Sequence, residues 1–396
     1  MKTLAMPVTA DARLRRLVGS LADRDVDVYL TTHTADICWL TGFTNVFDEE
    51  QAHLALIARE GSAERSTLET HSLQQPLLFT DARYSAALRT LDAEKRWRIL
   101  DEHRPRFAYV VELLREWCGA HAQDGQLRIG IESDLRLDAY RALTAALDEQ
   151  DLSAEVVELP SLVTGLRAVK DAGELESLKA AQALTDAAFD YMLGYLKIGL
   201  TEREAACELE FFMRRAGAQG VAFPSIVASG PNSAKPHAVP GERVFERGDF
   251  VLMDFGARLD DYRSDMTRTV VLGKASEQQR AMYAAVLAAQ SAVIEALKPG
   301  MTGLEAQGIA ERVIAEQGFA GAFIHSLGHG VGIDIHELPL LAPKVKTALE
   351  VGNVVTVEPG VYLEGIGGVR IEDYGVITEH GFEPFTHSPH ELIELS

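Results

Sequence analysis

The chain has 396 residues, enough for two or three domains with sizeable cores, and its 47% apolar and 24% charged content is that of an ordinary globular protein. Lys and Arg number 38 against 59 Asp and Glu, a formal net charge of -21, which excludes nucleic acid and anionic membrane as expected partners because both need a cationic surface. Cys38, Cys118 and Cys207 are scattered without metal spacing and the opening MKTLAMPVTADARLRRL is too polar for a signal peptide, so a reducing, cytoplasmic location is expected.

In chain order, the pattern predicts an amphipathic helix over Ala10–Ala22 and a strand over Val26–Thr31. Further strands are expected at His53–Ala58, Pro76–Thr80, Arg96–Leu100, Leu127–Glu132 and Ala154–Leu159, with helices at Arg106–Cys118 and Leu137–Leu147 between them. This is an α/β domain, taken as residues 1–160, and nothing in it has catalytic spacing. The stretch ELPSLVTGLRAVKDAGELESLKAA carries the boundary to a second domain over residues 161–396. There Asp171 caps a helix over Gly173–Leu196 with Glu174 at its third position, and a Thr-x-x-Glu box starts another over Thr201–Gly217. A second helix pair is expected at Ser276–Leu297 and Gly303–Gln317, with apolar residues at helical spacing suited to covering a sheet.

Each helix pair is followed by a copy of one hairpin. The first reads ERGDFVLMDFGARLDDYRSDMTRTVVL from Glu246, and the second reads EVGNVVTVEPGVYLEGIGGVRIEDYGVI from Glu350. The copies share Glu, Gly, Val, Gly and Leu at matched positions, and Asp254 in the first falls on Glu358 in the second. A turn centred near Leu259 and Asp260 makes Asp254 and Asp265 cross-strand partners, with Cβ atoms about 5 Å apart. A turn centred near Gly365 pairs Glu358 with Glu372. Four carboxylates so placed repel and raise one another's pKa unless cations lie between them. The segment HSLGHGVGIDIHE, from His325 to Glu337, adds three histidines. Four carboxylates and one imidazole suit two divalent ions about 3.5 to 4 Å apart sharing a hydroxide.

The phrases PHAVP, VLMDFG, SDMTRT, GHGVGIDIHE, TVEPGVY and GGVRIED together resemble the pita-bread metallopeptidases, the family of methionine aminopeptidase, aminopeptidase P and prolidase. VYLTTHTADICWLTGFT and LLFTDARYSAAL resemble the amino-terminal domain of prolidases, aminopeptidases P and creatinases, which methionine aminopeptidases lack. The implied architecture is an α/β N-terminal domain followed by an α+β pita-bread catalytic domain with a pseudo-twofold internal repeat.

By that resemblance the metal ligands are Asp254, Asp265, His329, Glu358 and Glu372, with Asp265 and Glu372 bridging the ions. Mn²⁺ is the first choice and Co²⁺ or Zn²⁺ are alternatives, since ligand type alone selects poorly among them. Glu358 doubles as proton carrier, while His237, His325 and His336 face the substrate and stabilise its tetrahedral intermediate or relay protons. Arg370 is a candidate for the substrate carboxylate; where some prolidases place a second arginine, this chain has Lys344 and Lys346. The implied reaction is hydrolysis of Xaa-Pro dipeptides by a metal-bridging hydroxide, or of longer peptides as in aminopeptidase P. A creatinase-like hydrolase and a binding-only relative both conflict with the full ligand set. A homodimer is also implied, in which Trp39, Phe43 and Tyr84 either reach a neighbour's site or pack within their own domain.

Overall fold

Four long helices frame the second part of the chain, and each starts at a capping box: Asp171 with Glu174, Thr201 with Glu204, Ser276 with Gln279 and Thr302 with Glu305. These reciprocal bonds satisfy N–H groups that a helix start leaves without partners. They fix the helices Ala172–Tyr195, Glu202–Arg215, Glu277–Ala296 and Gly303–Ile314. The computed structural model describes residues 9–48, 50, 52–59, 73, 75–101, 103–121 and 126–396. Two compact units divide between Leu166 and Arg167.

The first unit is a six-stranded sheet in the order Arg98–Leu100, Leu77–Phe79, Leu54–Ala58, Val28–Thr31, Leu127–Ile131, Ala154–Glu158. Its core joins Val28, Leu30, Leu54 and Ile129 of the strands to Val110, Leu114 and Leu143 of the helices Arg106–His121 and Leu137–Glu149. Trp39 and Phe43 are buried within this unit, with the Arg13 guanidinium over the Trp39 ring, and Tyr84 donates to Asp48 at 2.6 Å.

The second unit is built twice over. Helices Ala172–Tyr195 and Glu202–Arg215 pack Phe189, Met192, Leu209 and Met213 against Met253, Phe255 and Val270 of a four-stranded sheet. Helices Glu277–Ala296 and Gly303–Ile314 pack Val286, Val293 and Ala310 against Val355, Val357 and Ile377 of a five-stranded sheet. The central strands of the two sheets are the two hairpins, so each helix pair presents one hairpin to the middle of the unit.

The second hairpin turns about Gly365, as expected: Leu363 faces Gly367, Val357 faces Asp373, and the same register sets Glu358 opposite Glu372. The first hairpin corrects the expected register. Its turn is Asp260–Asp261, both at positive φ of 49° and 66°, between the partners Leu259 and Tyr262. Two left-handed residues in succession match the twist of flanking strands in a tight hairpin. Asp254 therefore faces Thr267, not Asp265. Asp265 lies at the break between the short strand Tyr262–Arg263 and the strand Met266–Leu272, and reaches the centre from there. At that break Ser264 bonds back to Ala257 through both backbone and side chain.

Candidate metal centre

The four carboxylates and His329 converge on one cavity of about 480 Å³. Its wall also holds His237, His325, His336 and Arg370, with an apolar stretch of Phe223, Pro224, Ile226, Val239 and Pro240. One oxygen each of Asp265 and Glu372 and one nitrogen of His329 lie within 4.8 Å of one another. His329 Nε2 is 3.3 Å from Glu358 Oε1 and 3.6 Å from Asp265 Oδ2.

Local backbone explains how each donor is aimed. His329 sits on Gly328–Gly330, a strand whose pairing with Glu337–Leu341 shifts register between His329 and Gly330. Gly328 lies so close to the Thr356 carbonyl that a Cβ there would collide with it. Nδ1 of His329 is 3.0 Å from the Gly330 carbonyl, which holds a proton on Nδ1 and aims Nε2 at the acids. Thr356 Oγ1 accepts from the His329 N–H at 3.0 Å and donates to Glu358 Oε1 at 3.1 Å. Thr267 Oγ1 donates to Glu372 Oε2 at 2.6 Å.

The electrostatics are those of a site built for cations. Burial, then the charges of Glu372, Asp254 and Glu358, push Asp265 well above the usual carboxylate range. Burial followed by Glu358 and Asp254 does the same to Glu372. Asp254 is raised by burial and by Glu358 in spite of Arg370. Burial raises Glu358 too, but the hydrogen bond and charge of His329 outweigh it and bring Glu358 to about 2. Asp254 Oδ1 is buried without a hydrogen-bond partner among the described residues. An unpartnered buried oxygen, acids that destabilise one another and an imidazole Nε2 aimed at them are all satisfied by divalent cations, which displace the Nε2 proton. The residues present fit a divalent pair.

Arg370 reaches the cavity wall, yet most of its donors are committed within the protein. Nε donates to Thr267 Oγ1 at 3.0 Å, Nη1 to the Pro236 carbonyl and to the Tyr362 hydroxyl, and Nη2 to Asp254 Oδ2. Its geometry is that of a strut holding Asp254. Tyr362 OH also lies 2.8 Å from His325 Nε2, which links that histidine to the same network. Lys344 and Lys346 are exposed and do not line the cavity. Sequence reasoning passed over Thr267, Thr356 and Tyr362. All three lie in the quoted phrases within four residues of a carboxylate, and that proximity was the available signal.

Residues 176–379 match metallopeptidase family M24, and residues 13–169 match the creatinase/prolidase N-terminal domain. The chain is 36% identical to the uncharacterized peptidase YqhT of Bacillus subtilis over 97% of its own length and 99% of that protein. It is 32% identical to the Xaa-Pro dipeptidase of Lactobacillus delbrueckii subsp. lactis over 96% and 98% of the two chains. Among solved structures, the Xaa-Pro dipeptidase from Bacillus anthracis aligns with a TM-score of 0.86 at 37% identity, covering 98% of this chain and 100% of that one. The X-Pro aminopeptidase from Thermotoga maritima aligns at 0.81 and 31% identity, covering 96% and 99%. Twin helix pairs presenting twin carboxylate hairpins are thus the pita-bread fold, and this chain belongs to metallopeptidase family M24, in the Xaa-Pro dipeptidase and aminopeptidase P branch that carries a creatinase-like N-terminal domain.

Proposed function

We propose that this chain hydrolyses Xaa-Pro bonds with two divalent ions held by Asp254, Asp265, His329, Glu358 and Glu372, and that dipeptides are its preferred substrates. The observation that carries the reading is the meeting of four carboxylates and one imidazole Nε2 on the wall of a largely apolar cavity. The relatives from Bacillus anthracis and Lactobacillus delbrueckii, both matched over nearly their whole length, are Xaa-Pro dipeptidases. Mn²⁺ suits an oxygen-rich set with a single imidazole, and Co²⁺ and Zn²⁺ accept the same donors.

Bound divalent ions supply polarisation of the scissile carbonyl and a water acidified toward neutrality. An Xaa-Pro bond has no amide N–H, and this chemistry asks for none. The remaining work falls to side chains. Glu358, braced by Thr356 and His329, carries a proton toward the proline nitrogen. His237 and His336 donate to the carbonyl oxygen as it gains charge. Burial, then the neighbouring His329 charge, holds His336 below the usual histidine value, and burial followed by Arg370 does so for His325. Neutral imidazoles can both donate and accept protons. Phe223, Pro224, Ile226, Val239 and Pro240 offer apolar contact to a proline ring.

One observation favours longer substrates. A dipeptide's carboxylate calls for a fixed cation, but Arg370 is largely committed to the protein and Lys344 and Lys346 lie away from the cavity. The test is kcat/KM on Ala-Pro and Ala-Pro-Ala with Mn²⁺-loaded enzyme. The dipeptide is expected to lead by at least about tenfold, equivalent to ~1.4 kcal/mol; an equal or higher value for the tripeptide assigns aminopeptidase P activity instead. We further assign a cytoplasmic homodimer, which light scattering showing a fully active single chain would exclude.

A further inference from the structure

The motif LRAVKD at the start of the catalytic unit has no part in the chemistry above, yet it supplies two of the most deeply buried cations in the molecule. The side chains of Arg167 and Lys170 are each 1% exposed, and both close on the Glu337 carboxylate, itself 1% exposed. Arg167 Nη2 also donates to Asp334 Oδ2 at 2.8 Å. A buried ion cluster of this kind gains little stability over apolar side chains of the same volume, so its physical use is to fix an arrangement.

The arrangement it fixes is the loop that carries His336. Asp334 lies two residues before that histidine and Glu337 one after. Glu337 opens a strand by pairing with Gly330, the neighbour of His329. Just before Asp334, Arg263 holds the carbonyls of Gly332 and Ile333, and a Cβ at Gly332 would collide with the Glu337 carboxylate. The His336 ring itself makes no hydrogen bond among the described residues; it rests edge-on to His329 with centroids 4.3 Å apart. Its place in the cavity is therefore inherited from its backbone.

We propose that Arg167 and Lys170 are positioning residues that, through Glu337 and Asp334, hold His336 against the metal centre. This rests on the substrate-side role given to His336 above. The test is a double-mutant cycle on Mn²⁺-loaded enzyme, reading kcat on Ala-Pro and bound metal per chain. Glu337→Gln keeps the side-chain shape and removes its charge. It is expected to lower kcat about 10²-fold, the cost of a misplaced catalytic group, with metal content unchanged. In a His336→Ala background the same substitution is expected to cost less than about threefold, because residues acting through one another are not additive. Equal losses in the two backgrounds, or metal lost in proportion to rate, overturn the inference while leaving the role of His336 intact. An unimpaired His336→Ala enzyme instead removes that role and this inference with it. Should Glu337→Gln fail to fold, Asp334→Asn, at a carboxylate that is 31% exposed, enters the same cycle and is judged by the same two outcomes.

Discussion

Arg268→Met removes a guanidinium whose five N–H groups are all used. Nε donates to the Pro389 carbonyl at 2.9 Å, Nη1 to the Thr267 and Glu372 carbonyls at 3.0 and 2.6 Å, and Nη2 to Asp373 Oδ1 and the Ser388 carbonyl at 2.8 Å each. Arg268 and Asp373 are each 1% exposed at the side chain, so the substitution strands a buried carboxylate with His390 as its remaining side-chain partner. Breaking such a pair costs about 3–5 kcal/mol, and for a unit of this size each kcal/mol shifts Tm by about 2–4 °C. A fall of about 6–20 °C is expected in thermal unfolding of the metal-loaded enzyme, with weaker metal retention because the Glu372 backbone loses its donor. Adding Asp373→Asn should recover part of the loss, since the stranded charge disappears with it. Burial raises the Asp373 pKa, but the His390 hydrogen bond and the Arg268 charge outweigh it and leave it below the usual 3.8. A carboxyl depressed in the fold stabilises above its unfolded value and loses that contribution as pH falls through the folded one. The gap between variant and wild type should accordingly narrow below pH 3.8. A shift under about 2 °C with unchanged metal content would refute the reasoning.

Two further expectations concern the acids themselves. Asp265 and Glu372 are raised well above their ordinary values of 3.8 and 4.5 by burial first and by their neighbours next, so the metal-free fold binds extra protons and loses stability as pH rises through the raised values. Chelated enzyme should melt higher at about pH 5 than at about pH 8, and a flat profile would show that cations are not what relieves these groups. Asp265→Asn should make the chelated enzyme more heat-stable than chelated wild type while lowering kcat beyond the ~10²-fold seen for outer metal partners; retained turnover with two ions per chain would contradict it.

The legible parts of this protein were those written locally. Capping signals at Asp171 and Thr201 located two helix starts to within a residue or two, because the signal spans four positions, and apolar spacing placed the starts near Ser276 and Gly303. The register of the second hairpin could be read because Gly365, at φ 77°, marks its turn. The first was misread because Asp260 and Asp261 both take left-handed φ, which carboxylate side chains tolerate but do not announce as glycine does. The five residues proposed as ligands could be named from the sequence, and the structure places them on one cavity, though the route by which Asp265 reaches it was not legible. Long-range pairings left no trace: Arg167 meets Glu337, Arg268 meets Asp373 and Arg370 meets Asp254 across most of the catalytic unit, and no periodicity encodes such partners.

The corrected register bears on the symmetry of the centre. Aligned by their cross-strand partners, Thr267 is the counterpart of Glu372, since they face Asp254 and Glu358 respectively. Asp265, facing Gly256 in the same register, is the counterpart of Arg370, which faces Gly360. The duplicated halves thus carry a hydroxyl against a carboxylate at one matched position and a carboxylate against a guanidinium at the other. The fold repeats itself but its charges do not, so the two halves would offer cations chemically different surroundings. If two ions bind as proposed, the first to enter would meet a different charge environment from the second, and metal titration should then show two separate binding steps.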